Sequence, residues 1–128
     1  MANNTLRNEL GNVRVSDEAI AAIAATAALR TKGVSGLSVG RAVDSLAGLL
    51  GLRATSRGVQ VEMGQSEVAL ALYILVDFGA EIAEVALQVQ EAVAEAVEKM
   101  SGLSVVQVDV TVQGVGPANA VPLERRSR

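Results

Sequence analysis

The chain has 128 residues, half of them hydrophobic and 20% charged, which suits one domain with one core and excludes a disordered composition. It has no Cys and no His, so disulfides, thiolate nucleophiles, zinc–sulfur sites and the commonest general base are ruled out. Its net charge of −3 speaks against nucleic acid and anionic membrane surfaces as partners.

Residues 1–11 are polar and read as a flexible arm. They lack the apolar centre of a signal peptide, so no export is expected. Val13 and Val15 alternate with Arg14 and predict a short strand. Ser16 follows as a helix N-cap, with Asp17 and Glu18 in the first turn, where carboxylates suit the positive end of the helix dipole. Ile20, Ile23, Ala24 and Ala27 share one face of that helix. Its small Ala21, Ala22, Ala25 and Ala28 predict tight packing against another helix. Arg30 and Lys32 before Gly33 predict its stop.

Residues 33–40 are glycine-rich and read as a loop with room for one short strand. Residues 41–50 predict a second, shorter helix with Val43, Leu46, Ala47 and Leu50 inward. The period then changes to two. Val59, Val61 and Met63 alternate with Gln60 and Glu62, a turn follows at residues 64–66, and a strand runs from Glu67 to Phe78, an antiparallel hairpin. From Ala80 to Met100, a 100° periodicity puts Ile82, Val85, Ala86, Val89, Val93, Ala96, Val97 and Met100 on one face. Glu81, Glu84, Glu91, Glu95 and Glu98 fall on the other. In the last strand, Val106, Val108, Val110 and Val112 oppose Gln107, Asp109, Thr111 and Gln113. Residues 116–128 read as a disordered basic tail.

The predicted fold class is α+β: a two-layer sandwich, strand-helix-strand-strand-helix-strand. It has one mixed, mostly antiparallel sheet with the helices on one face. With one Tyr, one Phe and no Trp, the core must be aliphatic. The strand 67–78 is apolar on both sides, which places it centrally or under a partner. Its outward residues Ala69, Ala71, Tyr73 and Leu75 form an apolar stripe on an otherwise polar sheet face. No apolar run approaches the roughly 20 residues of a membrane helix, so direct membrane insertion is not expected.

No residue set carries catalysis, and no catalytic, cofactor-binding or metal site is expected. Like-charge pairs such as Glu91/Glu95 and Glu95/Glu98 each cost about 0.2–0.5 kcal/mol, which a basic partner would relieve. A paired acid–base site would need a buried carboxylate, which a wet helix face does not offer. Gly33-Val34-Ser35-Gly36 has the GxxG spacing of KH domains, but few basic residues surround it. An RRM-like reading founders on the single open-face aromatic, Tyr73.

The segments Val13-Arg14-Val15-Ser16-Asp17-Glu18-Ala19-Ile20, Gly58-Val59-Gln60-Val61-Glu62 and Leu72-Tyr73-Ile74-Leu75-Val76-Asp77-Phe78-Gly79 resemble, in order and spacing, the alkaline-shock protein family of Gram-positive bacteria. So do Val97-Glu98-Lys99-Met100-Ser101-Gly102-Leu103 and Val108-Asp109-Val110-Thr111-Val112-Gln113-Gly114-Val115. The resemblance covers residues 12–115, and Asp109 departs from the Asn more usual there. It implies a cytoplasmic, non-enzymatic protein of cell-envelope homeostasis and stress, without cofactors. It also implies a scaffold that self-associates or docks on a membrane-anchored protein partner. The alternative is a regulatory module acting on an enzyme complex, for example in fatty-acid synthesis. A nucleic-acid binder ranks below both. The candidate interaction surface is Ala69, Ala71, Tyr73 and Leu75, together with Glu91, Glu95 and Glu98.

Overall fold

A computed structural model describes residues 5–38, 55–56 and 58–116. The elements are β1 (Thr5–Asn8), β2 (Gly11–Arg14), α1 (Asp17–Leu29), β3 (Val34–Leu37), β4 (Thr55–Ser56), β5 (Val59–Met63), β6 (Glu67–Asp77), α2 (Ile82–Ser101) and β7 (Ser104–Gly116). The fold is α+β, as the residue pattern predicts. The expected helix at 41–50 and the expected tail beyond Gly116 lie outside the described residues.

β6 organises the main sheet. The antiparallel hairpin β5–β6 aligns Val59 with Leu72 and Met63 with Val68. β3 continues along the same edge of β6, antiparallel, with Leu37 opposite Ile74 and a bulge between Val34 and Gly36. The two strands meet at Tyr73, whose N–H donates to the Gly58 carbonyl while its own carbonyl accepts from the Ser38 N–H. Gly58 has φ +88°, and a Cβ there would lie 2.5 Å from the Ser38 carbonyl oxygen, so only glycine fits this junction. On the other edge, β7 runs parallel to β6 over its whole length, with bulges between Val68 and Ala69 and between Ile74 and Leu75. The sheet is therefore mixed, and β6 is its central strand.

β1 and β2 form a separate antiparallel ribbon, with Thr5 opposite Arg14 and Asn8 opposite Gly11. This corrects two expectations. Residues 5–8 are strand rather than flexible arm, and the strand at Val13 does not join the main sheet. The cause is a tight local turn: the Leu10 N–H donates to Asn8 Oδ1 at 2.7 Å, and Gly11 takes φ 135°.

Both helices pack on one face of the sheet. Ser16 caps α1 as its sequence position requires, accepting from the Ala19 N–H at 3.1 Å. The helix ends at the cap residue Arg30, and the Thr31 hydroxyl donates to the Ala27 carbonyl. Gly33, at φ +97°, then turns the chain into β3; a Cβ there would sit 2.6 Å from a Val85 methyl. α2 follows β6 and ends at Gly102 in the left-handed conformation, its N–H donating to the Glu98 carbonyl.

The core is aliphatic, as the composition demands. Ile20, Ala21, Ala24 and Ala28 of α1 meet Val85, Val89, Val93 and Val97 of α2 over Val59, Val61, Val68, Leu70, Leu72, Ile74 and Val76. Of the four alanines expected to pack against another helix, Ala21 and Ala28 are buried in this core and Ala25 is partly buried, whereas Ala22 is exposed. Two apolar helix residues assigned inward by periodicity, Ile82 and Met100, are exposed, Met100 at 70%. They lie at the two ends of α2. In β7, the bulge after Val105 shifts the alternation, so Val105 packs on the core and Val106 is 56% exposed.

Candidate interaction surface

β6 is buried on one side and half-exposed on the other, because alternate residues of a strand face opposite ways. Val68, Leu70, Leu72, Ile74 and Val76 lie under the helices. Ala69, Ala71, Tyr73, Leu75 and Asp77 lie on the opposite face, which no described element covers. The stripe expected from the sequence is therefore one continuous row along the central strand.

Its borders are set by register. Ala69 lies between Glu62 of β5 and Gln107 of β7, and Ala71 between Gln60 and Asp109. Tyr73 is beside Thr111. Leu75 lies between Gly36 and Gly114. A Cβ on Gly114 would stand 3.2 Å from a Leu75 methyl and one on Gly36 would stand 3.9 Å from the other, so both glycines leave room for that side chain. The rim is polar and pre-ordered. The Gln107 amide donates to Asp109 at 2.8 Å, and the Ser38 hydroxyl donates to Gln113 Oε1 at 2.7 Å across β6. An apolar centre with an ordered polar rim is the anatomy of a protein-binding patch.

The three candidate carboxylates of α2 do not belong to that patch. α2 packs on the other side of the sheet, and Glu91, Glu95 and Glu98 are all exposed there. Glu98 has a structural role, because its carboxylate accepts from the Val105 N–H at 2.9 Å. Gln90 acts similarly, donating to the Val108 carbonyl at 3.0 Å. These two α2 side chains hold backbone groups of β7. Nothing in the residue pattern signals that role, since it depends on α2 folding back beside β7. Glu91 and Glu95 make no ion pair or hydrogen bond among the described residues. The candidate surface is therefore two surfaces on opposite sides of the sandwich.

A feature the residue pattern does not single out is an open groove of about 790 Å³ between α1 and α2, lined by Ala22, Ile23, Ala27, Ala92 and Ala96 with Arg30 and Lys32 at its edge. The GxxG segment is not a loop between helices. Val34 to Gly36 lie in β3, paired with β6, so no nucleic-acid clamp of the KH kind exists there. No group of three or more acidic side chains among the described residues is arranged to hold a metal ion. No helix among them is long and apolar enough to cross a membrane.

The model of the alkaline-shock protein 23 family, described as having a cell envelope-related function, matches residues 5–117. The chain belongs to the alkaline-shock protein family. This is the family that the sequence segments resemble, and the role of the chain is accordingly cell envelope-related. The family match begins at Thr5, so it includes the β1–β2 ribbon. Among curated relatives, the uncharacterized protein YloU of Bacillus subtilis is 37% identical over 115 residues, covering 89% of this chain and 96% of that protein. The uncharacterized protein YqhY of the same organism is 28% identical, covering 83% of this chain and 78% of that protein. The uncharacterized protein Spy1614 of Streptococcus pyogenes is 29% identical, covering 82% and 88%. No solved structure matches the chain significantly.

Proposed function

We infer that this alkaline-shock family chain is a non-enzymatic scaffold of the cell envelope, working in the cytoplasm, that self-associates or docks on a membrane-anchored protein partner. The observation that carries this reading is the stripe Ala69, Ala71, Tyr73 and Leu75, presented by the central strand on a face that no described element covers. A half-exposed apolar row on the central strand, paired along both edges, costs little to bind, because its side chains are already held by their neighbours. Tyr73 is the natural anchor, a large amphipathic side chain of the kind enriched at binding hot spots. The absence of His and Cys from the chain supports the non-enzymatic part.

Sedimentation velocity over a hundredfold concentration range tests it, with wild type and Tyr73→Glu side by side. Concentration-dependent species in wild type, shifted to smaller species in Tyr73→Glu, are expected. Assembly and partner capture that both survive Tyr73→Glu would rule out this face.

A second reading is a regulatory module that binds a basic surface of an enzyme complex through α2. It is favoured by Glu91 and Glu95, exposed and without an ion-pair partner among the described residues. The test is Glu91→Lys with Glu95→Lys, leaving Glu98 on the Val105 amide. Unchanged capture of the partner would count against it.

A further inference from the structure

β7 is thirteen residues long and pairs with β6 along one edge. Among the described residues no strand takes its other edge. In a parallel pair, alternate residues aim their N–H and C=O at the partner strand and the rest aim them away. Leu70 pairs with Val108, Leu72 with Val110 and Ile74 with Val112. The even-numbered residues of β6 are the ones that face β7, because Tyr73 and Asp77 hydrogen-bond to the opposite edge. The outward-facing amides of β7 are therefore those of Val105, Val108, Val110, Val112 and, past the second bulge, Val115.

α2 covers only the beginning of this edge. Glu98 holds the Val105 N–H and Gln90 holds the Val108 carbonyl. No side-chain hydrogen bond reaches the edge from Val110 onward among the described residues. The usual guards of a free edge are missing as well: β7 contains no Lys, Arg or Pro, and its one charged residue is Asp109. Beside the edge, Leu87 of α2 is 49% exposed and lines the shallow groove between α2 and β7 with Gln90 and Ala94.

We propose that β7 pairs antiparallel with β7 of a second copy about a two-fold axis at Thr111, joining the two sheets into one. The sequence is complementary to itself in this register. Val110 lies opposite Val112 of the second copy, and each such pair exchanges both of its backbone hydrogen bonds. Thr111 meets its own copy, a favourable β-branched pair. Asp109 lies opposite Gln113 of the second copy, so no like charges are opposed. Pairing stops where Gln90 already occupies the Val108 carbonyl. A second copy fits better than an arbitrary peptide because the same short run supplies both halves of the match. The contact is isologous and closes as a dimer. Combined with a docking face on the other surface, it gives a scaffold two independent contacts; it rests on the scaffold reading only in that both make the chain self-associate.

The test is Thr111→Cys in a chain that otherwise has no cysteine. Residues facing each other at a non-hydrogen-bonded antiparallel position have Cα atoms about 4.5 Å apart, within the range a disulfide spans. Thr111 is exposed, so the substitution spares the core. The control is Gln60→Cys, on the same sheet face but away from β7. Under mild oxidation at micromolar concentration, Thr111→Cys is expected to form disulfide dimers about a hundredfold faster than the control, because pairing raises the effective thiol concentration to about the millimolar range. The same crosslink is expected in a Tyr73→Glu background. If Thr111→Cys crosslinks no faster than Gln60→Cys while wild type still associates, edge pairing is wrong and the scaffold reading stands. If wild type is monomeric throughout and neither variant crosslinks, edge pairing and the self-associating form of the scaffold reading both fail.

Discussion

The two faces of β6 have nearly the same chemistry and opposite consequences. One face carries Val68, Leu70, Leu72, Ile74 and Val76, sealed under α1 and α2. The other carries Ala69, Ala71, Tyr73 and Leu75, apolar as well but half-exposed. On the first face the large aliphatic side chains interlock with Val89, Val93 and Val97, and burial there supplies stability. On the second, small alanines keep the row low at one end, and Tyr73 and Leu75 stand beside Thr111 and the glycines at the other. Hydrophobicity alone does not tell a covered face from an open one. What separates the faces is that α1 and α2 cover one of them, while no element among the described residues covers the other.

Substitutions on the two faces should therefore separate stability from assembly. The largest effect is expected from Leu72→Ala on the sealed face. Truncating a fully buried leucine costs about 2–5 kcal/mol, to be read as a lowered midpoint in urea with an unchanged slope. At the seam where β3 meets β5, Gly58→Ala combines a left-handed backbone with a close approach to the Ser38 carbonyl. The backbone contribution alone is about 1–2 kcal/mol, measured the same way. Ser16→Ala removes the cap of α1, which holds Ile20, Ala24 and Ala28 against the sheet, and should lower stability by about 1 kcal/mol, with Ser16→Asp restoring it. On the open face, Tyr73→Glu should lower stability by much less than Leu72→Ala, because it opens no cavity in the core, while association through this face is lost. Equal destabilisation by Tyr73→Glu and Leu72→Ala would erase the distinction between the faces.

The parts of this fold that residue pattern reveals are the parts where side-chain period and burial agree. β5 and β6 alternate cleanly, and α2 holds its valines four apart, so their existence and inward faces follow from the sequence. The stripe on β6 is legible for the same reason, since parity assigns Ala69, Ala71, Tyr73 and Leu75 to one side once the strand is known. The bulge at Val106 is not legible. A strict two-residue period assumes an unbroken ladder, and one inserted residue reverses the faces on either side of it. The strand at Thr5–Asn8 escapes such a reading because polar residues on an exposed ribbon leave no apolar alternation to follow. The division between Glu98, which holds the Val105 amide, and Glu91 and Glu95, which do not, depends on a contact between α2 and β7. Three glutamates on one helix face look alike until that contact is known.

The most direct test of the open face uses a property of the composition. Tyr73 is the only tyrosine and the chain has no tryptophan, so the emission excited in tyrosine reports on the centre of the stripe. Its quenching by iodide should be followed from dilute to concentrated protein, with emission anisotropy measured in parallel. Anisotropy is expected to rise and quenching to fall together as the stripe is covered. Rising anisotropy with unchanged quenching would show that the chain assembles while Tyr73 stays in water, and that result would contradict the assignment of this face.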